Sequence, residues 1–129
     1  PLSDLFRDIK LNLLVEVPNK DCPPDELIDT ETSSIPLLHK TIYWFASVVQ
    51  IAGYWVKLRY IGYEADSSND FWIHLCDSSI HHVGWSTDNN YALVPPFNIV
   101  YHKEDWKDYV YKTCTGKKTL PKNFHKNVS

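Results

Sequence analysis

Aromatic residues crowd two stretches of this 129-residue chain. The first is Leu58-Arg59-Tyr60-Ile61-Gly62-Tyr63. The second runs from Phe71-Trp72-Ile73-His74-Leu75-Cys76 through Ile80-His81-His82-Val83-Gly84-Trp85 to Leu93-Val94-Pro95-Pro96. Rings this dense, beside turn residues and acidic loops, have the makings of a pocket for a cation or a ligand ring. A small β domain that uses Trp and Tyr for want of other core has the same composition, so the pattern by itself leaves both readings open.

Two other groupings have the residue types of a reactive site. His74 and Cys76 lie two apart on a strand and share a face, with His81 and His82 nearby, and zinc takes such ligands. No CxxC or HxxxH pair supports that reading. Core packing for Cys76 and loop hydrogen bonds for the two adjacent His are simpler. Cys114 with His102 or His125 has the types of a nucleophile and a base, but nothing positions them and there is no third orienting group. No enzymatic activity, metal or cofactor is expected.

Composition narrows the partners. The net charge is −3 and the pI is about 6.0, which argues against direct nucleic-acid binding. The only basic cluster, Lys117-Lys118 with Lys122 and Lys126 nearby, reads as a solvated tail. No apolar run has the length of a membrane span and there is no signal-peptide pattern, so no membrane partner is expected. Cys22, Cys76 and Cys114 are odd in number and widely spaced, unlike a disulfide framework, which favours a reducing compartment. Cys76, in an apolar run, is expected to be a buried free thiol. The length suits one domain, and the lack of an initial Met points to a fragment of a longer protein.

The elements that must position these residues are short strands. Residues 1–12 have helical spacing (Leu2, Leu5, Phe6, Ile9) and read as an arm packed on the body. Leu13 to Val17 is a strand ended by Pro18. Residues 18–40, with four Pro and several acids, form a long irregular loop. Thr41 to Ile51 and Tyr54 to Tyr60 read as a hairpin joined at Ala52-Gly53. In its second strand Val56, Leu58 and Tyr60 share one face, and Trp55, Lys57 and Arg59 share the outer one. A polar loop over 62–69 precedes a strand over Phe71 to Cys76. Ile80 to Trp85 reads as a helical turn, 86–91 as a loop and Leu93-Val94 as a last short strand. Lys103 to Lys112 is helical, with Trp106, Tyr109 and Val110 on one face and Gly116 as a stop. Trp44, Trp72 and Trp85 are assigned to the core, and Trp55 to an exposed contact. The fold class is mainly β, a small curved barrel with an N-terminal arm and a C-terminal helix.

The order of Val15-Glu16-Val17, Tyr43-Trp44-Phe45-Ala46-Ser47-Val48, Ala52-Gly53-Tyr54, Leu58-Arg59-Tyr60, Asp70-Phe71-Trp72, Ile80-His81-His82-Val83-Gly84-Trp85 and Leu93-Val94-Pro95-Pro96 resembles a malignant-brain-tumour (MBT) repeat. Asp105-Trp106-Lys107-Asp108-Tyr109 and Thr119-Leu120-Pro121 look like the linker helix between consecutive repeats. The likeness covers nearly the whole chain apart from an enlarged loop at 23–40, and is greatest to the first repeat of four-repeat MBT chromatin proteins. It implies a five-stranded SH3-like or Tudor-like barrel over 13–100, after an arm at 1–12 and before a linker helix and tail at 101–129. It also implies a nuclear, Polycomb-type repressive role. The partners would be histone tails carrying mono- or dimethyl-lysine, neighbouring MBT repeats and other chromatin proteins.

The resemblance also implies a ligand cage. In binding-competent repeats an Asp after the first strand pairs with the methylammonium, an Asn often follows three positions later, and three aromatics enclose the cation. Cation–π attraction and one charge-assisted hydrogen bond hold it. Here Asn19 stands in the Asp position, with Asp21 two residues on and Cys22 near the companion position. Tyr60 and Tyr63 match the first two aromatics, and the third falls near Asn69. The cage is partial, which leaves two readings: a weak methyl-lysine reader, or a structural and protein-interaction repeat with no such ligand of its own. His82 stands where the family usually has Pro. Asp70 matches a structural acid expected to accept hydrogen bonds from backbone amides of the neighbouring loop.

Overall fold

The computed structural model describes residues 9–20, 41–102, 105–122 and 124. The order is β1 (Leu14–Pro18), β2 (Tyr43–Ala52), β3 (Trp55–Tyr60) and β4 (Phe71–His74), then helices α1 (Trp85–Asp88), α2 (Phe97–His102) and α3 (Trp106–Cys114). The strands make one antiparallel sheet in the order β1-β2-β3-β4. Leu93 contributes a single bridge to Tyr43 rather than a fifth strand, because Pro95 and Pro96 follow at once and cannot donate to a ladder. Two further bridges, Leu14 to Thr119 and Glu16 to His81, cover the outer edge of β1.

Alternation explains most side-chain positions. On β3, Val56, Leu58 and Tyr60 are buried while Trp55, Lys57 and Arg59 face outward. The hairpin turn is Gly53-Tyr54, since Ala52 pairs with Trp55; the positive φ of 63° falls on Gly53, which bears no steric cost there. A bulge between Val48 and Gln50 absorbs Val49 in β2.

Four expectations change on or near β4. The strand stops at His74, and Cys76 lies beyond it in a turn, exposed instead of buried. Trp72 alternates with the core-facing Ile73, so it emerges on the outer face at 42% exposure. There it pairs with Lys57, whose ammonium lies 5.7 Å from the ring centroid. Trp85 is half-buried and opens α1 instead of closing a helical turn. The carboxylate of Asp70 turns from the backbone amides to Arg59, accepting from Nε and Nη2 at 2.8 Å each. Arg59 Nη1 also donates to Glu64 O at 2.8 Å, so one guanidinium ties β3 to both ends of the 64–70 loop. Downstream, the structure adds α2, and α3 runs to Cys114, past the end at Lys112 that the sequence predicts.

The core gathers Val15, Val17, Ala46, Val48, Val56, Leu58 and Ile80. Glu16 is fully buried within it. One of its oxygens accepts the Gly84 N–H at 2.6 Å and the other the Ser86 N–H at 2.8 Å. Its own N–H and C=O pair with His81 at 2.8 and 2.9 Å. Glu16→Gln puts an amide N–H₂ against a backbone N–H, and urea unfolding is expected to show a loss of about 1–3 kcal/mol. Asp70→Asn breaks a fork-shaped pair whose acid side chain is 4% exposed, and the same assay should show a loss of about 1.5–3 kcal/mol. Trp44 is buried and donates from its indole to Ile61 O at 3.0 Å. Trp44→Ala should therefore cost about 3–5 kcal/mol, whereas Trp72→Ala should stay below about 1 kcal/mol; equal effects in thermal melts would contradict this packing.

Candidate functional site

The end of β1 meets the end of β3 around Asn19. The Asn19 backbone N–H donates to Ile42 O at 2.8 Å, and its side-chain Nδ2 donates to Val94 O at 2.6 Å. The residue is buried. Tyr60 arrives from β3, and its hydroxyl donates to Pro18 O at 2.8 Å and accepts the Lys20 N–H at 3.2 Å. Those two bonds straddle Asn19, so the fold brings these two residues together. The Tyr60 ring packs on Phe71 with centroids 5.2 Å apart.

Tyr63 follows through a turn closed by its own N–H on Tyr60 O at 3.3 Å, and it is buried. Gly62 makes that turn possible. Its φ is 119°, and a Cβ there would sit 2.1 Å from Ile99 Cδ1. Asn69 is exposed in the loop that leads into β4, and it brings no ring to the site. Asp21 and Cys22 lie outside the described residues.

The loop bearing Asn69 is braced electrostatically. Arg59 is held more firmly protonated than usual by its bond to Asp70. The Asp66 carboxyl is drawn below its ordinary range by the hydroxyl and N–H of Ser68.

A second aromatic group, which the sequence pattern did not separate out, lies along the start of β2. His81 stacks flat on Trp85, with centroids 3.5 Å apart and planes 1° from parallel. Tyr91 also stacks on Trp85, with centroids 5.0 Å apart, and Tyr43 tilts against His81 and Trp85 and meets Tyr91 edge-on. Burial, followed by the neighbouring Tyr91, pushes the Tyr43 phenol up from its usual value. The signal for this group was only the spacing of His81, Trp85 and Tyr91; the crossing of β2 that brings Tyr43 to them is a tertiary fact.

Of the reactive groupings, His74 with Cys76 can be followed, whereas His125 and the side chain of His102 lie outside the described residues. His74 Nδ1 accepts the Cys76 N–H at 3.0 Å, a local turn contact. Among the described residues no group of three or more His, Cys, Asp or Glu is arranged to hold a metal ion.

Comparison with known proteins places the chain. The family model for the MBT repeat matches residues 34–100. MBT domain-containing protein 1 of Homo sapiens is 41% identical over all 129 residues, which span 18% of that protein. Polycomb protein Sfmbt of Drosophila melanogaster is 33% identical over the same length, 10% of its own. The crystal structure of the four MBT repeats of Drosophila Sfmbt, in complex with the peptide RHR(me)KVLR, superposes with a TM-score of 0.72 at 27% identity. The match covers 99% of this chain and 24% of that one. With the family model matching more than half of its length, the chain belongs to the MBT repeat family.

Proposed function

We propose that this chain is a supporting MBT repeat of a nuclear chromatin regulator, which adds weak affinity for mono- or dimethyl-lysine on histone tails through a degenerate cage. The observation that carries this reading is Asn19. It is a neutral amide where a carboxylate would pair with the ligand, and its Nδ2 is already given to Val94 O. Tyr60, whose hydroxyl bonds straddle Asn19, and Tyr63, one turn further on, are the proposed aromatic faces, worth about 0.5–2 kcal/mol for each cation–π contact. A charge-assisted hydrogen bond of about 1.5–3 kcal/mol is missing. Asp21 and Asn69 complete the proposed set, Asp21 as a substitute acid and Asn69 in place of the third ring. Neighbouring repeats of the parent and other chromatin proteins are the remaining proposed partners, and no catalytic role is assigned.

The outer face of β3 and β4 favours a second reading, a repeat that serves protein contacts alone. Trp55 is 50% exposed and stands edge-on to His74 at 5.1 Å, next to the Lys57–Trp72 pair.

Titration of mono- and dimethyl-lysine into the chain, followed by NMR, separates the readings. Weak binding, on the order of millimolar, is expected, with shifts at Tyr60 and Tyr63. Asn19→Asp gains a charge but loses the bond to Val94, so the expected tightening is about tenfold. Low-micromolar binding by the unaltered chain would make it an active reader. No shift at either Tyr, before or after the substitution, would leave the protein-contact reading.

A further inference from the structure

Away from the cage, two clefts of about 620 and 490 Å³ meet along residues 117–119. The first lies between the Lys10–Leu13 stretch and the Lys117–Pro121 stretch. The second lies between Leu14, Phe45 and Val83 on one side and α3 on the other. Both are lined by Lys117 and Thr119, so they adjoin there as two halves of one grooved face.

The lysines of this stretch are exposed, as its composition suggests, but its backbone is tied to the body. Leu14 donates its N–H to Lys118 O at 2.8 Å, and Leu120 donates to Leu14 O at 2.9 Å. The basic residues are thereby fixed on the edge of β1. Leu13, Phe45, Val83 and Val110 give the groove apolar walls, while Leu11 at 58% and Tyr111 at 72% exposure form its lips.

Charge identifies the occupant. Lys10, Lys107, Lys117 and Lys118 rim the groove, and no Asp or Glu lines either cleft among the described residues. On a chain of net charge −3 this is a local reversal of sign. Asp108 on α3 is itself engaged by Lys112 at 3.0 Å. An apolar trough with a cationic rim matches a segment that carries apolar anchors flanked by carboxylates. A nucleic-acid backbone would leave the apolar walls unused. We infer that this groove docks a peptide segment of a partner protein, with aliphatic or aromatic side chains in the trough and Asp or Glu against Lys10, Lys107, Lys117 and Lys118.

Peptide display against the 129-residue chain tests this, followed by anisotropy with the selected peptides labelled with fluorescein. Selected peptides should combine apolar and acidic residues. The pair Lys117→Glu with Lys118→Glu, both exposed and so expected to leave the melting temperature unchanged, should weaken them about tenfold. Tyr111→Ala should weaken them as well. Bound peptide should also slow N-ethylmaleimide alkylation of Cys114, which lines the groove, and not that of the exposed Cys76. Asn19→Asp should leave peptide binding unchanged, which keeps this result separate from the methyl-lysine reading. The proposal falls if acidic peptides are not selected, or if the charge reversals have no effect. It also falls if heparin competes as well as peptide, marking a polyanion surface. Dimerisation of the free chain that Tyr111→Asp abolishes would assign the groove to a second copy and overturn it too.

Discussion

A carboxylate buried in an apolar strand holds this fold together. Desolvating a carboxylate costs several kcal/mol unless donors replace the lost water. At Glu16 the donors are two backbone N–H groups, from Gly84 and Ser86. They can converge because Gly84 takes a φ of 104°, open to glycine at little cost. The clamp seats the start of α1 against β1, and with it the stacked His81 and Trp85 that cover Tyr43. Tyr43 pairs with Pro18 across the sheet, one residue from Asn19. The candidate site therefore hangs on a strand whose position is fixed from its far side by one acid.

The same economy shapes the site. Asn19 and Tyr60 use their polar atoms to knit β1, β3 and the 92–94 segment together, through Val94 O, Pro18 O and the Lys20 N–H. Groups committed in this way are well placed but already hydrogen-bonded to the scaffold. A neutral amide at this point stabilises the junction without charge, whereas a buried carboxylate would need a cation to offset it. The junction at Asn19 thus closes on its own hydrogen bonds, without a charge to neutralise.

The sequence makes some of this legible and hides the rest for specific reasons. Period-two alternation predicts both faces of β3, and MBT motif order predicts the fold. Alternation applied to Phe71-Trp72-Ile73-His74 also places Trp72 outside, but the apolar density of the run reads as two buried faces. Cys76 is misplaced for the same reason. Asp70 and Arg59 lie 11 positions apart, and only the pairing of β3 with β4 brings their charges together. Lys117 and Lys118 look like a tail because nothing local announces that their backbone bridges to Leu14. Tyr60 and Asn19 were singled out from sequence, yet their mutual geometry depends on a junction between segments some 40 positions apart.

The bulge at Val49 gives the β2–β3 hairpin a rule of parity. Before it, Ala46 and Val48 lie opposite Tyr60 and Leu58; after it, Ile51 lies opposite Val56. One surplus residue lets a two-residue turn coexist with Val56 and Leu58 both facing the core, although Ile51 itself is exposed. Changes of chain length near the hairpin tip are therefore tolerated in pairs, or singly where the bulge absorbs them. A lone insertion or deletion elsewhere in the hairpin exchanges its faces, sending Lys57 and Arg59 inward and Val56 and Leu58 into solvent. The tip of this hairpin and the one position already out of step are therefore the places where a change of length disturbs the core least.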